Sequence, residues 1–517
     1  MHTQKVNLKY NLTNNRRKRY SGWSLCIIKD STTNNKIVYR GSDRPLETKQ
    51  EYFDVLIVGA GLSGIGAACQ LSTECPDRTY LIVESRDTVG GTWDLFRYPG
   101  VRSDSDMHTL GYSFRPWTGS KTITDGSSIL TYLKETAKDY NVEQHIRFNH
   151  KLVTASWCSQ TSQWALELER KDKEDVVFVS ANFLYMCSGY YDYDNPHDPS
   201  IPSSDRYEGI LINPQFWPQD LDYQGKSVVV IGSGATAVTI VPAMAQKAKH
   251  VTMLQRSPSY FLSWPSKDWF AGLCRKLLPF QSAYSLTRSR FILFQEFMYK
   301  STRIAPTWIK KFLINRVRTE LGVGHDIDKN FTPRYNPWDQ RLCLVPDSDF
   351  FKALKENKAS VVTDHIRSFT ESGIMLESGD HLDADIVVAA TGLKLIVMGG
   401  ARFSVDNKPV DFAALWSYKG LMVSDVPNMV STFGYVNASW TLRADITAKW
   451  VCKTLNYMSR TNTTRVVPRF PHDLSSLGSR DWISGFPAGY IKRVMHLFPK
   501  QGFKSPWINP QDFRRDK

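Results

Sequence analysis

The stretch that most restricts the fold runs over residues 53–84. Val55-Leu56-Ile57-Val58 leads directly into Gly59-Ala60-Gly61-Leu62-Ser63-Gly64. A helix-length segment follows, and Tyr80-Leu81-Ile82-Val83 ends in Glu84. A short, continuous apolar run of this kind is a strand buried on both faces, as in a parallel sheet. At GxGxxG spacing the first glycine permits a tight turn. The second lets a pyrophosphate approach the backbone, and the third lets helix and strand pack closely. The helix N-terminus then offers N–H groups and a positive dipole end to phosphates. Glu84 stands about 20 residues beyond the last glycine, where a carboxylate accepts ribose hydroxyls. A glycine-rich turn in another α/β protein would supply the glycines without this ordered strand, helix, strand and acid. The stretch therefore reads as a dinucleotide-binding βαβ unit.

A chain of 517 residues with 42% hydrophobic and 22% charged content has room for two or three domains and a large core. No apolar run reaches the ~18 residues a membrane span requires. The net charge of +14 is uneven. Residues 1–50 hold 11 Lys/Arg against 3 acids, residues 262–322 hold the same numbers, and the remainder is close to neutral. A nucleic-acid protein would carry its basic face on the folded body, so nucleic acid is not expected as a partner. The eight cysteines form no CxxC or CxxxxC pair, which argues against a flavin disulfide reductase and for free thiols in a reducing, cytoplasmic setting. No metal site is expected.

In chain order, residues 1–50 read as a basic, disordered extension, with a transit peptide as the alternative. Residues 51–200 form the first part of one nucleotide domain. Within it Gly90-Gly91-Thr92-Trp93-Asp94-Leu95 allows a second close approach to a cofactor, and segments at 146–157 and 163–168 suggest an inserted antiparallel sheet. Residues 195–204 are a linker. Residues 201–384 hold a second nucleotide unit, Ser227-Val228-Val229-Val230-Ile231 followed by Gly232-Ser233-Gly234-Ala235-Thr236-Ala237. Its next strand ends in Gln255-Arg256. Arginine there suits a 2′-phosphate and removes the carboxylate partner of a free 2′-hydroxyl, which favours NADPH over NADH. Residues 262–330 form a basic helical insertion, read as a cover for the substrate cleft, with contact to an anionic membrane surface as the alternative. Residues 385–517 are expected to return to the first domain and complete it. The fold class is α/β, with two Rossmann-like domains, one for FAD and one for NADPH, and a helical insertion in the latter. Such a pair passes hydride from nicotinamide to flavin.

Over residues 53–506 the chain resembles the Baeyer–Villiger branch of the class B flavin monooxygenases, and within it the ethionamide monooxygenase type. The resemblance rests on residues 59–64, 91–100, 102–106, 232–237, 255–258, 335–346 and 437–441. It implies that NADPH reduces FAD, that O2 adds at the flavin C4a position, and that the peroxyflavin converts ketones to esters or lactones. It also implies roles for particular residues. Arg341 matches the active-site arginine, a fixed cation beside the developing oxyanion, and Asp104 the carboxylate that orients it. Ser63, Glu84, Thr92, Trp93, Asp94 and Leu95 match positions lining the FAD, with Gly59, Gly61 and Gly64 as its cradle. Leu152 matches a backbone contact to adenine. Arg102, Ser103, Asp104, residues Gly232 to Ala237, Gln255 and Arg256 match positions near NADP.

One departure stands out. The branch fingerprint FxGxxxHxxxW reads here Tyr207-Glu208-Gly209-Ile210-Leu211-Ile212-Asn213-Pro214-Gln215-Phe216-Trp217. Asn213 replaces the histidine, removing a titratable group. The fold is expected to survive, while NADPH use or oxygen coupling is expected to suffer. Two readings compete with ketone oxygenation: sulfur or nitrogen oxygenation on the same scaffold, and an uncoupled NADPH oxidase attached to membranes through its basic segments. Trp217 favours the ketone reading. Substrate identity and oligomeric state are not legible in the sequence.

Overall fold

The computed structural model describes residues 24–28, 36–40, 51–340, 342–470, 478–485 and 488–517. Two units are distinguished, residues 1–50 and 51–517. In the first, Ser24–Ile28 and Lys36–Arg40 pair antiparallel, with Ser24 opposite Arg40. Part of the extension read as disordered is thus a strand pair, and the rest of it lies outside the described residues.

The second unit is built on two sheets, which define two lobes. In the first lobe four strands run parallel in the order Ile146–Arg147, Tyr80–Val83, Glu51–Val58 and Asp175–Met186. The last of these is twelve residues long and belongs to two layers. Its early residues pair antiparallel with Gln163–Arg170, which pairs in turn with His150–Cys158. The alternation of Gln163–Arg170 buries Trp164, Leu166 and Leu168, the period-2 pattern of a half-buried strand. The antiparallel segment read as an insertion is therefore continuous with the parallel sheet. Met429–Ser431 closes the lobe alongside Asp175–Met186.

The second lobe carries five parallel strands in the order Ala359–Thr363, His250–Gln255, Ser227–Ile231, Ile386–Ala389, Ile210–Ile212. The two strands Ser227–Ile231 and Ile386–Ala389 are apolar and buried except at Ser227, as in a parallel sheet covered on both faces. Ile386–Ala389 lies inside this sheet, so the chain leaves the second lobe after residue 389 and not at 385, where the sequence reading divided it.

The insertion comprises Trp269–Leu277, Phe280–Ile304, Pro306–Leu321 and Ile327–Phe331. It is bracketed by Phe261–Trp264 and Cys343–Pro346, which pair parallel. The 25-residue helix Phe280–Ile304 leans on the first lobe. Tyr284 donates its hydroxyl to the His108 carbonyl at 3.1 Å, Arg288 donates to the Gly111 carbonyl at 2.8 Å, and Gln295 donates to Asp106 Oδ2 at 2.7 Å. Arg288 also pairs with Asp445 at 3.3 Å, both largely buried. Removing one partner of such a pair strands the other charge, at a cost of about 3–5 kcal/mol.

His108 sits in this seam, stacked on Phe291 with ring centroids 5.4 Å apart. Both its ring nitrogens are buried without a hydrogen-bond partner among the described residues. Burial, helped by Arg275, Arg290 and Arg288 and opposed by Asp268, pushes its pKa down to about 4. The unfolded chain takes up this proton below its ordinary value of about 6.5, whereas the folded chain does so only near 4. Stability from this group is complete above about pH 6.5 and drains away as pH falls to about 4, by about 3 kcal/mol. Urea unfolding of the parent and of His108→Gln should therefore diverge in slope over that window, the parent losing more. Parallel slopes would show that the imidazole titrates normally.

Candidate active site

Both glycine motifs stand where a strand turns into a helix, at the carboxyl ends of their sheets. In the first lobe Gly59 has φ +106°, a conformation open to glycine. A Cβ there would come within 2.5 Å of the Cys187 carbonyl oxygen, and one on Gly64 within 1.8 Å of the Gly59 oxygen. These two glycines let strand and helix close on each other. Gly61 does something different. It faces Gly91, and a Cβ on Gly91 would lie 3.0 Å from the Gly61 Cα. Two glycine loops thus oppose each other with no side chain between them, leaving backbone as the floor of a cleft.

That cleft is one long cavity. Gly59, Gly61, Ser63, Glu84, Thr92, Trp93, Arg102, Ser103, Asp104 and Leu152 all line it. At one end Glu84 is buried. One oxygen accepts the Ala60 N–H at 2.7 Å and the other the Arg86 N–H at 3.0 Å. Burial raises its pKa while these donors pull it back. Ser85 Oγ donates weakly to the second oxygen at 3.4 Å; a carboxylate has about four acceptor positions, so capacity is left for a ribose hydroxyl. Leu152 lines the same end, beside a register break between Leu152 and Thr154. Further along, the Trp440 indole N–H donates to Ser63 Oγ at 2.8 Å, and Tyr190 stacks on Trp440 at 5.1 Å. The far end is apolar. Leu262, Trp264, Phe291, Phe294, Met298, Trp338, Leu342 and Leu344 close it, all from the insertion and the strands beside it.

Some predicted residues do not line the cavity. Leu95 and Asp94 are buried behind the cleft, and the Asp94 carboxylate is taken by Arg86 and by Arg97, the latter at 3.0 Å. Arg102 reaches the cleft but its guanidinium is tied to Asp349 of the second lobe. Asp104 also lines the cleft. Arg341 lies outside the described residues, although its neighbour Leu342 lines the apolar end.

In the second lobe Gly232 has φ +132°, and a Cβ on it would meet the Ala390 carbonyl oxygen at 2.3 Å. Gly234 is exposed, and a Cβ on it would find open space out to 4 Å. Ser233 Oγ donates to the Ser257 carbonyl at 3.0 Å. Ala235 and Thr236 open the helix Ala235–Met244, and Ala237 is buried within it. Arg256 is exposed at the strand end. Gln255 is turned inward, its amide nitrogen donating to the Asn330 carbonyl and to Thr363 Oγ1, both at 2.8 Å. The lobes meet at Gly100, where a Cβ would strike Ala243 and the Thr239 carbonyl.

Sequence reasoning missed Tyr190, Tyr191 and Tyr193, which line the cleft just after Gly189. Their position beyond the carboxyl end of a parallel strand could have flagged them. It also missed the link from the fingerprint to the cleft. Asn213 accepts the Gln215 N–H at 3.0 Å and caps a short turn, and Gln215 donates to the carbonyls of Asp192 at 2.9 Å and Tyr193 at 3.2 Å. Both of those residues line the cavity.

The cleft fits FAD. It pairs a side-chain-free floor for the pyrophosphate with a carboxylate at the ribose end, and aromatic walls follow. The second cradle, with an exposed cation at its strand end, fits the phosphorylated nicotinamide cofactor.

Comparison with known proteins agrees. Residues 53–272 match the family model for flavin-binding monooxygenase-like proteins. The FAD-containing monooxygenase EthA of Mycobacterium tuberculosis is 47% identical over 467 residues, 90% of this chain and 94% of that one. A probable FAD-binding monooxygenase, AlmA, of Acinetobacter baylyi is 46% identical, covering 90% and 93%. Among solved structures, a steroid monooxygenase bound to NADP superposes with a TM-score of 0.68 at 23% identity, over 82% of this chain and 88% of that one. A cyclohexanone monooxygenase does so with a TM-score of 0.66 at 21% identity, over 80% and 89%. With two dinucleotide cradles in place and near-half identity across nine-tenths of its length, the chain belongs to the class B flavin monooxygenases and is an FAD-containing, NADPH-dependent monooxygenase.

Proposed function

We propose that the enzyme oxygenates apolar ketones to esters or lactones, and that its site residues act as the family resemblance implies. The observation that carries this is the cavity itself, which is lined by the glycine floor, by Asp104 and by aromatic and aliphatic side chains of the insertion and its bracketing strands. When bound, FAD supplies hydride acceptance from NADPH and the activation of O2. The chain's own residues do the rest. The facing Gly61 and Gly91 leave backbone without side chains open to the pyrophosphate, and Glu84 takes the ribose. Trp264, Phe291, Phe294 and Met298 exclude water and bind the hydrocarbon part of the substrate. Addition to a carbonyl builds an oxyanion on the substrate, and a fixed cation stabilises it. Arg341 is assigned that role, with Asp104 as its orienting carboxylate. Attack by sulfur builds no such oxyanion, so the cation bears on carbonyl chemistry above all.

Arg256 is assigned the 2′-phosphate of NADPH, on its exposure just beyond the strand His250–Gln255 of the second lobe. Asn213 acts through Gln215 on the backbone of Asp192 and Tyr193, and so couples the interlobe segment to the cleft wall.

Given phenyl ketones and thioethers in parallel, the enzyme should form ester at the higher kcat/KM. Arg341→Ala should lower ester formation at least about 100-fold while NADPH still bleaches the flavin; ester at the parental rate would remove the assigned role. Arg256→Ala should raise KM for NADPH about tenfold or more, with little change in kcat or in KM for NADH, and equal losses for both cofactors would contradict the assignment. Asn213→His, which restores the usual fingerprint residue, should raise the ester formed per NADPH consumed, measured against hydrogen peroxide released. No change in that ratio would show that the Asn213 cap already suffices.

A further inference from the structure

We propose that the outer face of the helical insertion docks on an anionic lipid bilayer, and that the enzyme draws its ketones from that bilayer. The second half rests on the ketone reading above; the first does not.

Among the described residues, twelve of the twenty large apolar side chains that stand exposed lie between Trp269 and Val323. They are not scattered. In Phe280–Ile304 the residues Leu286, Leu293, Phe297 and Ile304 are 47–83% exposed. Their spacings of seven, four and seven place them on one line along the helix. Phe291, Phe294 and Met298 point about 80–140° round the axis and line the cavity. The helix is thus apolar on two faces, and the cavity uses one of them. The neighbouring helices also expose apolar side chains. Trp269, Leu273 and Leu277 recur every fourth residue, and Trp308 stacks on Phe312 at 6.0 Å, all of them exposed. Exposed apolar side chains in this number, on three helices of which the outer two pack on the middle one, mark an interaction site.

Charge selects the occupant. Residues 262–322 hold 11 Lys/Arg against 3 acids, and Lys276, Lys311 and Arg316 are exposed beside the apolar lines. A symmetric pair of copies would set this excess of positive charge against itself. An anionic lipid surface complements it, with apolar side chains entering the acyl boundary and cations meeting the headgroups. Exposed Trp269 and Trp308 suit the headgroup level. No helix among the described residues is long and apolar enough to cross a membrane, so the contact is in the plane of the interface. The cavity wall and the docking face are then two sides of one helix, about 10 Å across. A ketone dissolved in the bilayer has that short distance to travel.

The test floats full-length holoenzyme with vesicles of phosphatidylcholine alone or of phosphatidylcholine with phosphatidylglycerol. It compares the parent with Leu293→Ser/Phe297→Ser/Trp308→Ser, whose changed side chains do not line the cavity. The parent should bind the anionic vesicles about tenfold more tightly than the neutral ones, and less tightly as salt rises. The triple variant should keep its flavin and its turnover of a short, water-soluble ketone, and bind the anionic vesicles at least about tenfold more weakly. The basic N-terminal residues are intact in the variant, so that loss belongs to the helices. A parent that stays in solution, a variant that binds equally well, or a dimer that the variant dissociates would each overturn the docking. For a long-chain ketone, anionic vesicles should raise turnover in the parent and not in the variant. Equal effects on both would overturn delivery from the bilayer. Absence of ketone turnover under all conditions would sink the ketone reading, and flotation would still decide the docking.

Discussion

In each lobe one glycine sits against a backbone carbonyl of the adjacent parallel strand. Gly59 meets Cys187 and Gly232 meets Ala390, at distances a side chain could not tolerate. This double contact sets the rest of the architecture. It lets each strand end turn sharply into its helix, so that both helix N-termini face open space at the carboxyl edge of a sheet. An added methyl at either position has no room to relax, because the obstacle is main chain. Once the two cradles are fixed, the other elements arrange what lies between them: the Gly61–Gly91 floor, the tyrosines after Gly189, and the loop that carries Arg102 and Asp104.

The interlobe contacts are specific. Gly100 allows the first lobe to press on the helix Ala235–Met244. Arg102 reaches across to Asp349. The insertion, though part of the second lobe's chain, is held to the first lobe by Arg288–Asp445 and by Gln295–Asp106. Asp106 follows Asp104 by two residues, so the helix that walls the substrate end is hydrogen-bonded to the loop bearing the proposed orienting carboxylate. A substrate that displaced this helix would disturb that loop, and this gives binding at the apolar end a short path to the chemistry. Gln215 makes the corresponding link on the other side of the cleft, through the carbonyls of Asp192 and Tyr193.

Much of this was written in the sequence. A buried parallel strand is a continuous apolar run, and a glycine whose Cβ would collide cannot be replaced by other residues, so both nucleotide units and their order could be read directly. The lobe membership of Ile386–Ala389 could not. A strand buried on both faces carries no local mark of which sheet it joins, and here both sheets use the same kind of strand. The inward turn of Gln255 and Asp94 was not legible for a related reason. A polar residue at a strand end or in a glycine-rich turn can face a ligand or its own lobe, and the partners that turn these two inward, Asn330 and Thr363 for one, Arg86 and Arg97 for the other, include residues distant in sequence. The insertion was legible as helix and as a cover for the cleft, but a helix apolar on two faces does not announce which of them is buried. The cleft-cover reading of residues 262–330 describes the face that lines the cavity.

The central claim is that the two cradles, with the apolar cavity beside the first, couple NADPH oxidation to transfer of one oxygen atom from O2 to a carbonyl compound. Mass spectrometry of the product formed from a ketone under isotopically labelled dioxygen tests it most directly. One labelled oxygen atom should appear in each ester molecule, with one NADPH consumed per ester. Product without label, or NADPH consumption that yields labelled peroxide and no ester, would contradict the account.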